Sequence, residues 1–456
     1  MRQFLERFSS INMTEGTPWK KLLLFTIPLL IGNIFQQLYS TVDAIFLGRF
    51  VGDNALAAIG STIPLFFLVL MLCMGVAMGA GVMASQYFGA KSREDLSYTL
   101  GTAITLTAII SLVITILGPF ATRPLLVLLR TPPEIIDDGV LYMNILLWGI
   151  IGVAYFNMLS GALRGIGEAI APLFYLIIAC LLNIALNFLF IVVLRMGVFG
   201  AAIGTVIAQA LTSILCLRKL MQMRDVFDMG WRYLIPKRKY VNQMLKLGVP
   251  TGASQAIFAI AMMITQPLVN NFGAMFVAVN VIVMRIDGFI MMPIFSFGNA
   301  MMVYAGQNVG AGMMDRVEKG RKQCLYLAMG TSLVSVSAVL IFGRYIAGLF
   351  TQTGEAIDLT MRMLMILAFG YLAFTVANVL WGVIRGAGDA ISPLWASVIN
   401  SVIIRLPTAY LFVHFFGRPE ALMFSLLTAW TCNMLFSLTV YKIGKWRTKG
   451  LVHRSD

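Results

Sequence analysis

The chain has 456 residues, of which 59% are hydrophobic and only 12% are charged, and its mean hydropathy is +0.85. A water-soluble globular protein would have about a quarter of its residues charged, so the composition excludes that class. The net charge of +14 does not indicate a nucleic-acid partner, because the 34 lysines and arginines lie mostly in short segments between apolar stretches and form no long basic arm. The composition therefore predicts a membrane protein.

Twelve apolar segments follow one another along the chain, and each has at least the roughly 20 residues that are needed to cross a bilayer. All twelve are predicted to be helices, because isolated strands leave backbone groups unpaired in lipid and no segment alternates as in an outer-membrane barrel. The predicted fold class is therefore an all-α polytopic membrane protein. The segments cover residues 20–47, 56–83, 96–118, 139–160, 170–194, 197–217, 247–271, 275–303, 323–343, 361–382, 391–413 and 420–442.

Basic residues are unevenly distributed over the connections between these segments. The N-terminal segment, alternate connections and the C-terminal tail hold 25 of them, and the opposite connections hold 7. The remaining two, Arg285 and Arg405, lie inside apolar segments. The positive-inside rule then predicts that both termini lie in the cytoplasm.

The two halves of the chain repeat one another. Residues 161–172 (GALRGIGEAIAP) return 221 residues later as residues 382–393 (GVIRGAGDAISP), with seven of twelve positions identical. Gln86 matches Gln307 at the same displacement. Because each half has six helices, both halves run in the same direction, which predicts two six-helix bundles related by a parallel repeat about an axis along the membrane normal.

The repeat and a basic connection near mid-chain divide the chain into five parts. The connection carries eight basic residues and separates six apolar segments from six. The predicted parts are a cytoplasmic N-terminal segment (1–19), an N-lobe (20–217), a basic cytoplasmic linker (218–246), a C-lobe (247–443) and a cytoplasmic tail (444–456).

Four ionisable side chains lie clearly within the apolar segments, where a charge costs roughly 2.5–3.5 kcal/mol and so indicates function by default. They are Asp43, Asp287, Arg285 and Arg405. For Asp43, a cation-coupling acid competes with an acid that reaches the outer interface and with a structural hydrogen-bond acceptor. For Asp287, a place in a substrate cavity competes with a structural ion pair to Arg405, since the neighbouring Arg285 points to a different helix face.

Uncharged polar residues follow helical spacing in the N-terminal half. An apolar helix with one polar stripe is expected to turn that stripe inward, so these residues are predicted to converge within the N-lobe. The amides of the fifth helix are equally compatible with helix packing. The residues are Gln36 on the same face as Asp43 in the first helix, Asn157 in the fourth, Asn183 and Asn187 four apart in the fifth, and Thr205 and Gln209 four apart in the sixth.

The sequence contains no catalytic constellation. Its only histidines, His414 and His453, lie apart near the C-terminal end, and there is no HExxH, GxSxG or Walker motif. The five cysteines are scattered singly, which indicates neither a zinc site nor a disulfide framework. An enzyme and an ATP-driven pump are therefore disfavoured, and gradient-driven transport without a cofactor is predicted.

Three motifs together resemble one transporter family. They are the repeated Arg-Gly-x-Gly-Asp/Glu-Ala-x-x-Pro turn, residues 306–311 (GQNVGA) and residues 38–48 (LYSTVDAIFLG). In this order, with twelve segments and two repeats, the chain from residue 20 to about residue 445 resembles the multidrug and toxic compound extrusion (MATE) family. It resembles DinF-type more than NorM-type bacterial members, because the seventh and tenth segments hold no acid.

The resemblance implies a bacterial inner-membrane antiporter whose two bundles form a V around a central cavity that opens alternately to the two sides. We expect it to export amphipathic, mainly cationic organic compounds in exchange for H⁺ or Na⁺, and to function as a monomer. Some members have an acid where this chain has Asn187, which leaves the coupling ion and its stoichiometry open.

The candidate site residues fall into three groups. Those expected to couple the cation, and to bind Na⁺ if it is the coupling ion, are Asp43, Asn183, Asn187 and Thr205. Those expected in the substrate cavity are Gln36, Tyr39, Asn157 and Asp287. Those expected to serve conformational change are Pro28, which matches a family proline linked to bending of the first helix, Arg285 and Arg405.

A lipid-linked oligosaccharide flippase of the same superfamily is the alternative function. Such a protein would be expected to line its cavity with several basic residues for pyrophosphate, whereas only Arg285 and Arg405 lie within the apolar segments. Gradient-driven export of a lipophilic cation distinguishes the two functions.

Overall fold

The computed structural model describes residues 11–129 and 131–452, which exclude His453. These residues form helices and connections without any strand. Eleven of the helices are long and apolar enough to cross a membrane, and the number is twelve if one bent helix pair counts as a single span. The predicted all-α polytopic fold class is confirmed.

The helices of the first half cover the predicted segments to within one residue, and several extend beyond them, the third by ten residues. They are α1 (Pro18–Phe50), α2 (Asp53–Gly89), α3 (Arg93–Leu128), α4 (Pro133–Trp148), α5 (Ile150–Gly165), α6 (Ile170–Asn187), which continues as a π-helical segment (Phe188–Val193), and α7 (Gly197–Gln222). A single-turn helix, α8 (Trp231–Leu234), lies in the connection to the second half.

The second half follows the same order, except that one continuous helix lies where the first half has α4 and α5. Its helices are α9 (Arg238–Asn270), α10 (Ala274–Gly310), α11 (Met314–Gly348), α12 (Gly354–Gly386), α13 (Ile391–Ser397), which continues through a π-helical segment (Val398–Arg405) into α14 (Leu406–Phe416), and α15 (Ala421–Ile443). A 3₁₀ turn (Lys445–Thr448) follows.

The repeat seen in the sequence is also a repeat of structure. Helices α2 and α10 are both 37 residues long, and their first residues are 221 positions apart. The repeated Arg-Gly-x-Gly motif forms the same tight turn twice, with Gly167 at φ 89° and Gly388 at φ 98°. Their N–H groups donate to the carbonyl oxygens of Arg164 (3.0 Å) and Arg385 (2.9 Å). Glycine suits this turn because L side chains rarely adopt a positive φ.

The acid after each turn begins the next helix. Glu168 Oε1 accepts from the N–H groups of Ile170 (3.2 Å) and Ala171 (3.1 Å), and Asp389 Oδ1 accepts from those of Ile391 and Ser392 (both 3.1 Å). Each carboxylate thus satisfies donors that a helix N-terminus leaves unpaired.

Glycines allow two backbones to approach closely at matching places in the repeat. A Cβ atom on Gly165 in α5 would lie 2.5 Å from the carbonyl oxygen of Gly81 in α2. The equivalent Gly386 in α12 would collide in the same way with the carbonyl oxygen of Met302 in α10. The same pair of helices is therefore packed by the same device in both halves.

The predicted single segment at residues 139–160 is broken in the structure. Helices α4 and α5 are bent by 51°, with Gly149 between them. A Cβ atom at Gly149 would collide with the side chain of Val206 in α7, so the absence of a side chain lets α7 approach the bend. Hydropathy did not reveal the break because the residues on both sides of it are apolar.

The chain forms two compact units. Unit 1 contains the described residues 11–12 and Pro28–Gly252, and unit 2 contains Met13–Ile27 and residues 253–452. The divisions fall inside α1, at Pro28, and inside α9, after Gly252, and not in the connections between helices. Helices α1 and α9 therefore each contribute residues to both units.

The N-terminal segment is held at defined points. In unit 1 the N–H of Ile11 donates to the carbonyl oxygen of Gly167 (2.9 Å). In unit 2 the N–H of Met13 donates to Gln307 Oε1 (2.9 Å), and the Arg316 guanidinium donates to the Met13 carbonyl oxygen (3.1 Å). The side chain of Met13 is fully buried. The GQNVGA motif therefore contributes Gln307 to the anchoring of this segment.

The basic connection after α7 is docked on the start of α3 in unit 1. Arg93 pairs with Asp228 (2.7 Å), Arg232 with Glu94 (2.9 Å), and Lys239 with Asp95 (2.9 Å). The hydrogen bond from Arg93 lowers the pKa of the Asp228 carboxyl group. This connection is therefore a packed part of unit 1.

Candidate functional site

The Asp43 carboxylate in α1 is surrounded by neutral hydrogen-bond donors from α6 and α7. Asn187 Nδ2 donates to Asp43 Oδ1 (2.5 Å), and Thr205 Oγ1 donates to Asp43 Oδ2 (3.4 Å). Asn187 Nδ2 also lies 3.2 Å from Asn183 Oδ1, and Asn183 Nδ2 lies 3.5 Å from Thr205 Oγ1. The structure thus brings together the four residues predicted for cation coupling, while their role stays a prediction.

Local helix geometry positions the two amides. Asn183 and Asn187 are one helical turn apart on α6, so they lie on the same face. Asn187 is the last α-helical residue before the π-helical segment Phe188–Val193. Single π-helical turns are frequent at functional sites because they change the direction in which side chains project.

Within the described residues, no basic side chain pairs with the Asp43 carboxyl group. Asn183 and Asn187 are fully buried, and among the described residues Asp43 is in no ion pair. A carboxylate in a membrane protein is costly without a counter-charge. This arrangement favours the arrival of a cation.

Several buried oxygen atoms near Asp43 have spare hydrogen-bonding capacity. Within the described part of the chain, Asn187 Oδ1, Gln209 Oε1 and the Tyr39 hydroxyl have no hydrogen-bond partner. The Tyr39 hydroxyl faces Thr205 and Gln209. Tyr39, which was expected in the substrate cavity, is therefore buried at the edge of the Asp43 cluster, with 5% of its surface exposed.

The oxygen atoms of this cluster fit a hard cation such as Na⁺. Carboxylate, amide and hydroxyl oxygens are the ligands that hard cations prefer. Asp43, Asn183 and Thr205 provide one of each, and a rotation of the Asn187 side-chain amide would add its unpaired Oδ1. A proton needs only the Asp43 carboxylate, so the donor set is compatible with either ion.

Tyr142 also belongs to this region, although no sequence pattern indicated it. Its hydroxyl lies within electrostatic range of Asp43, and its ring packs in a small core with Leu47 and Ile191. A single tyrosine in an apolar segment gives no periodic signal, so only the packing of α4 against its neighbours reveals it.

Three other predicted residues do not join the Asp43 hydrogen bonds. Asn157 Nδ2 donates to the carbonyl oxygen of Val153 in its own helix (2.8 Å). Gln36 is exposed at the surface of unit 1. Pro28 lies inside the continuous helix α1, at the residue where the grouping changes from unit 2 to unit 1.

Unit 2 contains a different polar cluster. The Asp287 carboxylate in α10 lies beside the Tyr371 hydroxyl of α12 and within electrostatic range of Arg405. The structure shows no ion pair between Asp287 and Arg405 within 4 Å among the described residues, and the Arg405 guanidinium lies 5.8 Å from the Phe258 ring centroid. Asp287 Oδ1, Tyr371 Oη and Arg405 Nη1 are buried without a hydrogen-bond partner in the described chain.

The two arginines within the apolar segments have different environments. Arg285 is exposed, whereas Arg405 is mostly enclosed next to Phe258. Arg285 therefore does not join Arg405 in the Asp287 cluster of unit 2.

The family model described as MatE matches residues 28–189 and 250–411. The chain belongs to the multidrug and toxic compound extrusion family. Each matched range covers most of one repeat, which agrees with the division into two similar halves. Members of this family are transporters and not enzymes, and this chain is a multi-pass membrane protein.

Bacterial relatives match along nearly the whole chain. The probable multidrug resistance protein YpnP of Bacillus subtilis is 29% identical, over 96% of this chain and 98% of that protein. The probable multidrug resistance protein YoeA of the same organism is 27% identical, over 91% of this chain and 93% of that protein. The multidrug export protein MepA of Staphylococcus aureus is 22% identical, over 94% of both chains.

Solved structures of transporters match the fold. A MATE transporter in a bent conformation superposes with a TM-score of 0.89 at 24% identity, over 95% of this chain and 97% of that chain. A structure described as a MATE transporter in the straight conformation superposes with the same score and identity. An outward-facing MATE family transporter of the MOP superfamily also scores 0.89. These likenesses show the fold.

Proposed function

We propose that this protein is a secondary active multidrug exporter that exchanges amphipathic, mainly cationic organic compounds for H⁺ or Na⁺. The observation that carries the proposal is the Asp43 carboxylate, which accepts hydrogen bonds from two neutral side chains, Asn187 and Thr205, and lies in no ion pair with a described residue. The names of the bacterial relatives, which describe multidrug resistance or export, support the same activity.

Coupling follows from the charge of Asp43. A proton on the carboxylate, or Na⁺ bound by the cluster, removes an uncompensated charge from the membrane interior. Neutralised and ionised Asp43 then stabilise different conformations, and a cationic substrate favours the ionised one. Exchange results if each ligand has a different affinity for the two conformations, because a ligand shifts an equilibrium only by that difference.

The proposed substrate class also follows from charge and surface. A carboxylate that pairs with no basic side chain in the described part of the chain attracts organic cations and repels anions. The chain contains 29 methionines and 31 phenylalanines, and these residue types adapt to apolar and aromatic compounds of different shape.

We further propose that Pro28 is the position at which α1 changes shape during transport. Proline lacks the N–H that would complete the helix hydrogen bond and is a common site of helix bending. A Pro28→Ala variant is expected to retain the fold and slow transport. Asp43 would be unchanged, so cation binding measured at equilibrium should be retained.

The remaining parts of the proposal concern location and assembly. We propose a bacterial inner membrane with both termini in the cytoplasm, since the connections on that side hold most of the basic residues. We also propose that one chain is sufficient for transport. Cysteine accessibility on the two sides of the membrane and transport by single chains in nanodiscs test these points.

The proposal is tested by efflux of a fluorescent lipophilic cation from proteoliposomes under a proton gradient or a sodium gradient, applied separately. The variants are Asp43→Asn and Asp287→Asn. Asp137→Asn is the matched control, since Asp137 is 77% exposed and pairs with Arg123 at the surface (3.1 Å). We expect one gradient to drive efflux and Asp43→Asn alone to abolish it.

Other results would overturn the proposal in defined ways. Loss of efflux in Asp287→Asn with retention in Asp43→Asn would move coupling to unit 2. A folded protein that moves no lipophilic cation under either gradient would exclude cation-coupled export and favour flipping of a lipid-linked oligosaccharide.

A further inference from the structure

Unit 2 contains a groove of about 660 Å³ between α12, α14 and the start of α15. This volume falls within the roughly 300–1,000 Å³ typical of small-molecule sites. Its wall is apolar along most of its length and includes Ile366, Phe416, Phe424 and Leu427. The Asp287 cluster is not part of this groove, so it is a separate feature of the unit.

One end of the groove is charged. Arg362 Nε lies 3.4 Å from Glu420 Oε1, and the Arg362 side chain remains 56% exposed. Arg418 also lines this end and is in no ion pair within residues 11–129 and 131–452. The two arginines and one glutamate leave one positive charge. Because Glu420 is already paired and only 19% exposed, this end favours an anion over an organic cation.

The charged end and the apolar wall follow each other along the helices. Ile366 is one helical turn from Arg362 on α12, and Leu427 is two turns from Glu420. At about 1.5 Å per residue the apolar wall extends roughly 10 Å from the charged end. A ligand that fits must therefore have an anionic head and an apolar tail, which is the chemistry of an anionic phospholipid in the bilayer that surrounds the protein.

The three charged residues of the groove differ from the residues at the corresponding positions of the first repeat. The positions 221 residues before Arg362, Arg418 and Glu420 are Leu141, Gly197 and Phe199. The fold of the repeat therefore does not require charged residues at this place. The charged residues of this groove are therefore not repeated at those three positions of unit 1.

We propose that this groove binds one anionic phospholipid. Arg362 and Arg418 hold the phosphate, since a guanidinium forms paired charge-assisted hydrogen bonds with phosphate oxygens. One acyl chain lies along Ile366, Phe424 and Leu427. The bound lipid stabilises unit 2, because a ligand that binds only the folded state increases its stability. The site is independent of the exchange proposed for Asp43.

The site is tested by photolabelling the full-length purified protein in micelles with phosphatidylglycerol that carries a diazirine in one acyl chain. Labelled peptides are identified by mass spectrometry. We expect labels on α12 and α15, and about tenfold less labelling at low lipid concentration in the double variant Arg362→Gln/Arg418→Gln. The control is Arg344→Gln, because Arg344 is 68% exposed and pairs with Asp358 at 2.7 Å in the same unit.

A second variant tests the apolar part of the groove. Leu427→Trp is expected to fill the wall and remove the label from α12 and α15. Leu435→Trp, at a residue on the same helix that is 55% exposed, should leave it unchanged. Thermal unfolding without added lipid establishes that each variant is folded.

Competition with unlabelled compounds shows which kind of ligand occupies the groove. Unlabelled phosphatidylglycerol should displace the probe at about a tenth of the concentration that phosphatidylcholine requires, and inorganic phosphate should not displace it. The proposal is overturned if phosphatidylcholine competes equally, if phosphate or a lipophilic cation removes the label, or if Arg362→Gln/Arg418→Gln is labelled like the parent protein.

Discussion

The two units of this transporter have the same framework and different polar interiors. Both contain the Arg-Gly-x-Gly turn, the carboxylate that begins the following helix, and the close glycine contact that joins α2 to α5 or α10 to α12. Unit 1 contains one acid among neutral donors, whereas unit 2 contains an acid near a guanidinium. Backbone packing has been retained where it holds helices together, while interior side chains have diverged between the units.

The two units also differ in the shape of one spanning segment. Helices α4 and α5 of unit 1 are bent by 51°, whereas α12 of unit 2 continues from Gly354 to Gly386. The glycine at the bend, Gly149, has an equivalent in Gly370, which lies against the Trp430 side chain of α15. A glycine permits close packing in both units, and the residue that fills the space differs.

The shared framework predicts that Gly165→Ala and Gly386→Ala destabilise the protein by similar amounts, about 2–3 kcal/mol each. In both cases the new methyl group meets a carbonyl oxygen of the backbone, which cannot move aside as a side chain can. Denaturant unfolding in detergent measures the change. Gly330→Ala is the control, because nothing lies within 4 Å of a Cβ there. Destabilisation by only one of the two other substitutions would show that the glycine contacts of the two units are not equivalent.

Because the polar interiors of the two units differ, substitutions of Asn187 and of its equivalent in the repeat, Thr408, are expected to have unequal effects on transport. Asn187→Leu removes the donor to Asp43 and should lower gradient-driven efflux about tenfold, the size expected for a hydrogen bond to a charged group. Thr408 donates to the carbonyl oxygens of Ile404 (2.7 Å) and Arg405 (3.2 Å) in the preceding turn of the same helix, so Thr408→Val should transport normally. Equal loss in both variants would indicate general damage to packing.

Asp287 and Arg405 are expected to be energetically coupled although they form no ion pair. A double-mutant cycle with Asp287→Asn and Arg405→Gln should give a coupling of about 1 kcal/mol in unfolding free energy. The reason is that each single change leaves the other charge enclosed without its compensating neighbour. If the changes in unfolding free energy are additive, the two groups act independently. Asp287 would then lack a compensating charge, as Asp43 does among the described residues of unit 1.

The smallest effects are expected at the two helix-starting acids. Glu168→Ala and Asp389→Ala should each cost about 1 kcal/mol, as for other residues that cap a helix. Glu168→Gln and Asp389→Asn keep an acceptor oxygen and should cost about half as much. Chemical denaturation of all four variants measures these losses of stability. If only one of the two acids stabilises the protein, the framework shared by the two units is limited to the glycine contacts and turns.

Much of this architecture could be predicted from the sequence because its causes are local. Hydropathy identified the spanning helices, since each must be apolar over a similar length. The displacement of 221 residues identified the repeat, and the Arg-Gly-x-Gly spacing indicated a tight turn. Asn183 and Asn187 were expected on one helix face because they are one turn apart, and the resemblance to the family predicted their place beside Asp43.

The tertiary structure decided the features that depend on which helices meet. It showed the bend at Gly149, the approach of Tyr142 to Asp43, and the lack of an ion pair between Asp287 and Arg405. It also placed residues 13–27 with unit 2 and the basic connection with unit 1. Periodicity within one helix specifies a face but not its partner, because the partner is chosen by packing between residues that are far apart in the sequence.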